Sequence, residues 1–160
     1  SYLLNYKKWR GTISDTELIC ESLGLNPTKT DIILDGGNIV HAETKVIITE
    51  RVFKDNPQYS HKKLISNLYD LLKVDRIYFI PELPKDFTGH ADGMVRFLDE
   101  ETIIVNDFSK EKSSFLRAFD IALNNIGLDK FTIPYYPYQN KKNCQANGVY
   151  INYLEMDKII

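Results

Sequence analysis

Gly89-His90-Ala91-Asp92 sets an imidazole and a carboxylate two residues apart. A carboxylate beside a histidine can fix the orientation of its ring. A further carboxylate can hold a planar cation through two parallel charge-assisted hydrogen bonds, each worth about 1.5 to 3 kcal/mol. Asp35, in Asp35-Gly36-Gly37-Asn38, completes that set with His90 and Asp92. Each motif alone has a plainer reading, since Asp35-Gly36-Gly37 is a good turn sequence and His90 could be a capped loop histidine. Their equivalent placement in a repeat gives the chemical reading its weight.

The repeat can be counted. Asp35 lies 11 residues before Val46-Ile47-Ile48, Asp92 lies 11 before Ile103-Ile104-Val105, and Gly148 lies 11 before Ile159-Ile160. The copies thus recur at almost the same interval, from Asp35 to Asp92 and from Asp92 to Gly148. In each, a short segment (Asn38 to His41, Met94 to Leu98, Val149 to Leu154) precedes a polar turn and a β-branched strand, which reads as a hairpin. Leu64, Ile65, Leu68, Leu71 and Leu72 then line one helical face, with Pro57 as a candidate first-turn residue. Asp75 to Ile80 reads as a third strand. In the second copy Phe115, Phe119, Ala122 and Ile126 line a helix, Gly127 is a natural left-handed stop, and Phe131 to Tyr136 returns as a strand.

The expected architecture is therefore α/β, from ββαβ units of about 57 residues over 31–81 and 89–137, with part of a third over 148–160. A lone unit cannot cover its own apolar face, so stacking or closure about an axis is implied. An axis would bring Asp35 and Asp92 together. A chain stopping inside a second strand would leave an open sheet edge, a route to self-association.

At 160 residues and 43% apolar content the chain can build a core, and its net charge of -2 gives no general case for nucleic acid. Lys62-Lys63 and Lys141-Lys142 read as solvated surface. No apolar run is long enough to span a membrane, and Ser1 to Trp9 lack a signal-peptide core. Two cysteines, Cys20 and Cys144, are too few for a disulfide framework, so a reducing, cytoplasmic setting is the default. Tyr135, Tyr136 and Tyr138, set between prolines, read as a tyrosine-lined loop over the core or beside a pocket.

Leu34-Asp35-Gly36-Gly37-Asn38, Thr88-Gly89-His90-Ala91-Asp92-Gly93-Met94-Val95-Arg96-Phe97 and Gly148-Val149-Tyr150-Ile151-Asn152-Tyr153 resemble, in order, the central motifs of agmatine deiminases and Porphyromonas-type peptidylarginine deiminases. These belong to the guanidine-modifying superfamily with the pentein-type α/β-propeller fold. The resemblance runs from about Asp31 to Ile160 and implies hydrolysis of a guanidine group (agmatine, arginine or peptidyl-arginine) to a ureido product and ammonia. It implies His90 as acid/base, Asp92 as the guanidinium grip, Asp35 orienting His90, and Asn152 and Asn38 lining the substrate site. It implies neither metal nor organic cofactor, and a small guanidine as the partner.

Family members also carry a tryptophan/arginine/aspartate motif upstream and a glycine-rich motif with the nucleophilic cysteine near the C terminus. Trp9-Arg10-Gly11 lacks the following aspartate, and Cys144 stands in neither the context nor the order of that nucleophile. Lys141 and Lys142 could still lower its pKa from the usual value of about 8.5. The sequence therefore reads as the middle of a deiminase with blades missing at both ends, inactive alone. Two alternatives stand beside this: a non-catalytic pentein-like binding module or remnant, and a metal hydrolase with His90, Asp92, His41 and Asp35 around a divalent ion. The metal reading requires His41 to reach the site from the far end of its own strand.

Overall fold

The computed structural model describes residues 11, 13–137 and 148–153. The expectations placed on Trp9, Arg10, Tyr138, Lys141, Lys142, Cys144 and residues 154–160 lie outside the described residues. The chain opens with α1 (Thr16–Ser22), followed by β1 (Val40–His41), β2 (Lys45–Thr49), α2 (Arg51–Asp55), α3 (His61–Leu72) and β3 (Arg76–Ile80). Then come β4 (Val95–Phe97), β5 (Thr102–Asn106), α4 (Ser113–Ile126) and β6 (Asp129–Ile133).

The strands form two separate sheets of three, ordered β1-β2-β3 and β4-β5-β6. Both have the same pairing: the first two strands are antiparallel and the last two parallel. β2 and β5 are the middle strands, and they carry the apolar triplets that mark the sequence repeat.

Side chains alternate across a strand, and β2 shows what each face does. Val46 and Ile48 pack with Leu64 and Leu68 of α3 and with Ile77. Ile47, on the opposite face, joins Ile80 and the residues of the second sheet and α4 in a larger core. α4 lies against β3 and presents Phe115, Phe119, Leu123 and Ile126 to that core. The helix of the second half thus covers the open face of the first sheet. Fully burying an aliphatic side chain contributes about 1.5 to 3 kcal/mol, so Ile47, Ile80 and Ile103 bind the two halves firmly.

Several boundaries differ from the sequence expectations. α3 starts at His61 rather than near Pro57, because the Ser60 hydroxyl accepts from the Lys63 amide and caps the first turn. β6 runs Asp129–Ile133, earlier than expected, since its register pairs Thr102 with Asp129 and Asn106 with Ile133 and Pro134 then has no amide to continue. α1 and α2 were not expected; both are too short to show a helical period. Gly127 does close α4 with a left-handed φ of 67°. Residues 148–153 contain no strand, and the remainder of the expected third hairpin lies outside the described residues. Among the described residues no helix is long and apolar enough to cross a membrane.

Candidate functional site

Asp35 ends the segment that leads into the first sheet. That segment is pinned from behind by Asn56, which is fully buried: its Oδ1 accepts from the Ile33 amide (2.7 Å) and its Nδ2 donates to the Ile33 and Val52 carbonyls (both 2.8 Å). After Asp35 the chain makes a single 3-10 turn, Gly36–Asn38, and enters β1.

His90 and Asp92 sit in the long connection between β3 and β4. Its first part is held by charge: Glu82 meets Lys54 Nζ at 2.5 Å and Arg51 Nη1 at 3.7 Å, and Arg51 also pairs with Asp55. Asp86 then accepts from the Thr88 amide and hydroxyl, a short local turn. Gly89 follows with φ 63°, a left-handed conformation that glycine adopts at no steric cost.

The two turns meet at Gly37. Its carbonyl accepts from the Asp92 amide at 3.0 Å. A Cβ built on Gly37 would stand 2.5 Å from His90 Nδ1 and 2.9 Å from Asp92 Oδ2, so only a glycine leaves both side chains room where they stand. His90 Nε2 lies 3.5 Å from Asp35 Oδ2, both side chains being largely buried. Asp92 Oδ2 accepts from Asn152 Nδ2 at 3.2 Å.

Asn152 is delivered by a segment that the rest of the site anchors. The Tyr136 amide donates to the Gly148 carbonyl, and Arg96 Nη1 donates to the Tyr153 carbonyl while its guanidinium stacks 4.0 Å over the Tyr153 ring. Asp35, His90, Asp92 and Asn152 therefore stand together, linked through Gly37. Beside Asp92 opens a cavity of about 210 Å³ lined by Val40, His41, Asp92, Val95, Arg96 and Phe97.

Burial raises the Asp92 pKa above its ordinary value, and nearby Asp86 adds to the rise. His90, the Gly93 amide and Asn152 oppose it without cancelling it. A half-buried carboxylate of this kind favours a cation that can replace its lost water.

Asn38 differs from the others. It is buried, and its Oδ1 accepts from the Thr49 amide and lies within reach of the Thr49 hydroxyl, both at 2.9 Å. These are the contacts of a brace inside the fold. His41 lines the cavity, yet among the described residues no three His, Cys, Asp or Glu side chains converge so as to hold a metal ion. Cys20, in α1, lines a separate surface hollow with Thr16, Glu17, Pro27, Thr28, Lys29 and Thr30.

Thr49, Asn106 and the Arg96–Tyr153 contact carry no signature in a single sequence. The available signal was positional: Thr49 and Asn106 are polar residues that close equivalent apolar strands of the two copies.

Known structures share this fold. An agmatine deiminase from C. jejuni superposes with a TM-score of 0.62 at 23% identity, over 76% of this chain and 40% of that one. A substituted form of the C. jejuni enzyme with substrate bound gives 0.61 at 21%, over 76% and 41%. The agmatine deiminase of Enterococcus faecalis gives 0.60 at 23%, over 75% and 38%. At these identities the likeness speaks to the fold, and the chain spans about two fifths of the length of these proteins. No curated protein matches it. The family model for Porphyromonas-type peptidyl-arginine deiminase aligns with residues 2–160, and the chain belongs to that family.

Proposed function

We propose that these residues form the histidine and carboxylate half of a guanidine-hydrolysing site within a pentein-type α/β-propeller. The observation that carries the reading is the convergence of His90, Asp35, Asp92 and Asn152 about Gly37. Asp92 grips the guanidinium, Asp35 fixes the His90 ring, Asn152 holds the Asp92 carboxylate at the substrate, and Asn38 braces the turn behind them.

In the proposed reaction a cysteine thiolate attacks the guanidinium carbon, forming a C–S bond. His90 protonates the leaving nitrogen and ammonia departs. The same imidazole then takes a proton from water, which attacks the thiouronium carbon and releases the ureido product and the thiolate. We assign the thiolate to a chain segment outside these 160 residues, because Cys20 stands in α1 at its own hollow and Cys144 lacks the family context. No cofactor enters this scheme.

The propeller reading has physical support in the sheet faces. Ile47 of the first sheet is fully buried by the next unit, whereas Ile104, its counterpart in the second sheet, is only partly buried and Phe131 beside it is 62% exposed. That face asks for a further unit beginning near Gly148, making the units 31–81, 89–137 and 148–160. β6 is the outer strand of its sheet, an edge through which copies of the chain would associate. The cysteine usage suits a cytoplasmic setting.

The test is a titration of the chain with agmatine and with arginine, followed by amide and side-chain NMR. Expected are shifts at Asp92, Asn152 and His90, and an affinity lowered roughly tenfold to hundredfold by Asp92→Asn, the loss of a charge-assisted pair. The chain alone should release no ammonia above background. Binding indifferent to Asp92→Asn would remove the site, and robust turnover abolished by Cys144→Ala would relocate the nucleophile.

A further inference from the structure

The His90-Ala91-Asp92 tripeptide is held at both ends by side chains that bond its flanking backbone carbonyls. On its N-terminal side, the Thr49 hydroxyl stands 2.5 Å from the Gly89 carbonyl and 2.9 Å from Asn38 Oδ1, sharing one proton between them. The Thr49 amide donates to the same Asn38 oxygen, so Thr49 grips both turns of the site at once. On the C-terminal side, Asn106 Nδ2 donates to the Gly93 carbonyl at 2.7 Å.

Thr49 and Asn106 are the last residues of β2 and β5, which are the central strands of their sheets, and both are buried. They occupy the same position in the two halves. Buried strand ends are fixed by the ladders and the core around them. A loop bonded to them inherits that rigidity, as a reacting group held to a fraction of an ångström requires.

We propose that Thr49 and Asn106 are paired positioning residues that clamp the His90-Ala91-Asp92 turn from its two ends. This rests on the site assigned above. Each acts through a backbone carbonyl, so the clamp constrains His90 and Asp92 whatever their charge. Removing the Thr49 hydroxyl leaves the Gly89 carbonyl buried and unpaired, and the turn would then open locally.

The experiment is native-state amide hydrogen exchange on Thr49→Val, Thr49→Ser and Asn106→Ala, with agmatine affinity measured on the same samples. In Thr49→Val and Asn106→Ala the Asp92, Met94 and Val95 amides should exchange about tenfold faster or more, while the β2–β3 ladder keeps its protection. Thr49→Ser should restore both exchange and affinity. Should Thr49→Val not fold, Thr49→Ala serves the same comparison. Unchanged exchange at Asp92, a uniform rise across the ladder, or failure of serine to restore it would each overturn the clamp. If wild type binds no guanidine but the exchange pattern is as stated, the clamp stands and the proposed function falls.

Discussion

A single methyl group added at Gly37 should empty the site of its affinity while leaving the fold nearly intact. Gly37 is not among the residues with positive φ, so alanine fits its backbone, and the substitution is a pure steric wedge. The new Cβ would lie 2.5 Å from His90 Nδ1, 3.2 Å from its Cε1 and 2.9 Å from Asp92 Oδ2. Ordinary contact needs roughly 3.5 Å, so the ring must retreat by about 1 Å and the carboxylate by about half as much. Only side-chain ends are displaced. Overpacking costs about 1 to 3 kcal/mol, and the alanine recovers about 0.4 to 1 kcal/mol by restricting the unfolded chain. The net loss of stability should therefore be about 1 kcal/mol. Displacing the carboxylate and ring, by contrast, costs a charge-assisted hydrogen bond to the ligand of about 1.5 to 3 kcal/mol, roughly tenfold to hundredfold in affinity. Urea unfolding and agmatine titration on the same preparation separate the two effects. Gly36→Ala is the control, since a Cβ there meets nothing within 4 Å. Equal affinity in Gly37→Ala and wild type, or equal losses in both alanine variants, would refute the argument.

Asn56→Ala should cost about 2 to 4 kcal/mol in the urea midpoint, because it orphans the Ile33 amide and carbonyl and the Val52 carbonyl inside the fold; a loss below about 0.5 kcal/mol would mean that the lead-in to Asp35 is held otherwise. Asp92 should give opposite pH trends in stability and binding. Its folded pKa lies above the unfolded value of 3.8, so the native state holds its proton longer, and stability falls as pH rises through that window. Asp92→Asn should flatten this limb and raise the midpoint at neutral pH. Guanidinium binding needs the ionised form and should strengthen over the same window; parallel trends in the two measurements would contradict the assignment.

The sheets were legible because their signals are local. β-Branched triplets in matching positions of the two copies mark β2 and β5, and the α3 and α4 faces show a helical period. The residue types at the site were legible for the same reason, as Asp35, His90 and Asp92 sit in short, recognisable turns. The support behind them was not. Thr49 bonds a residue 40 positions away and Asn152 one 60 positions away, and such distances are set by how the two halves dock. Asn38 shows the complementary limit: its motif placed it at the site, while its burial under Thr49 gives it a bracing contact that no spacing rule contains. α1 and α2 escaped notice because a helix of 7 or 5 residues has too few turns to display periodicity.

Asp35 belongs to the lead-in of one sheet, and His90 and Asp92 to the lead-in of the other; the Asp92 amide on the Gly37 carbonyl is the seam where they meet. At the far end of the same boundary, Glu100 accepts from the Thr44 amide and hydroxyl, and its own carbonyl accepts from Lys45. The site is thus the mouth of a joint latched at both ends. Any molecule that engaged Asp35 and Asp92 together would bridge the two halves at a further point and stabilise their docking by mass action. A substitution of Glu100 that weakened the docking would then be expected to lower affinity at the opposite end of the seam.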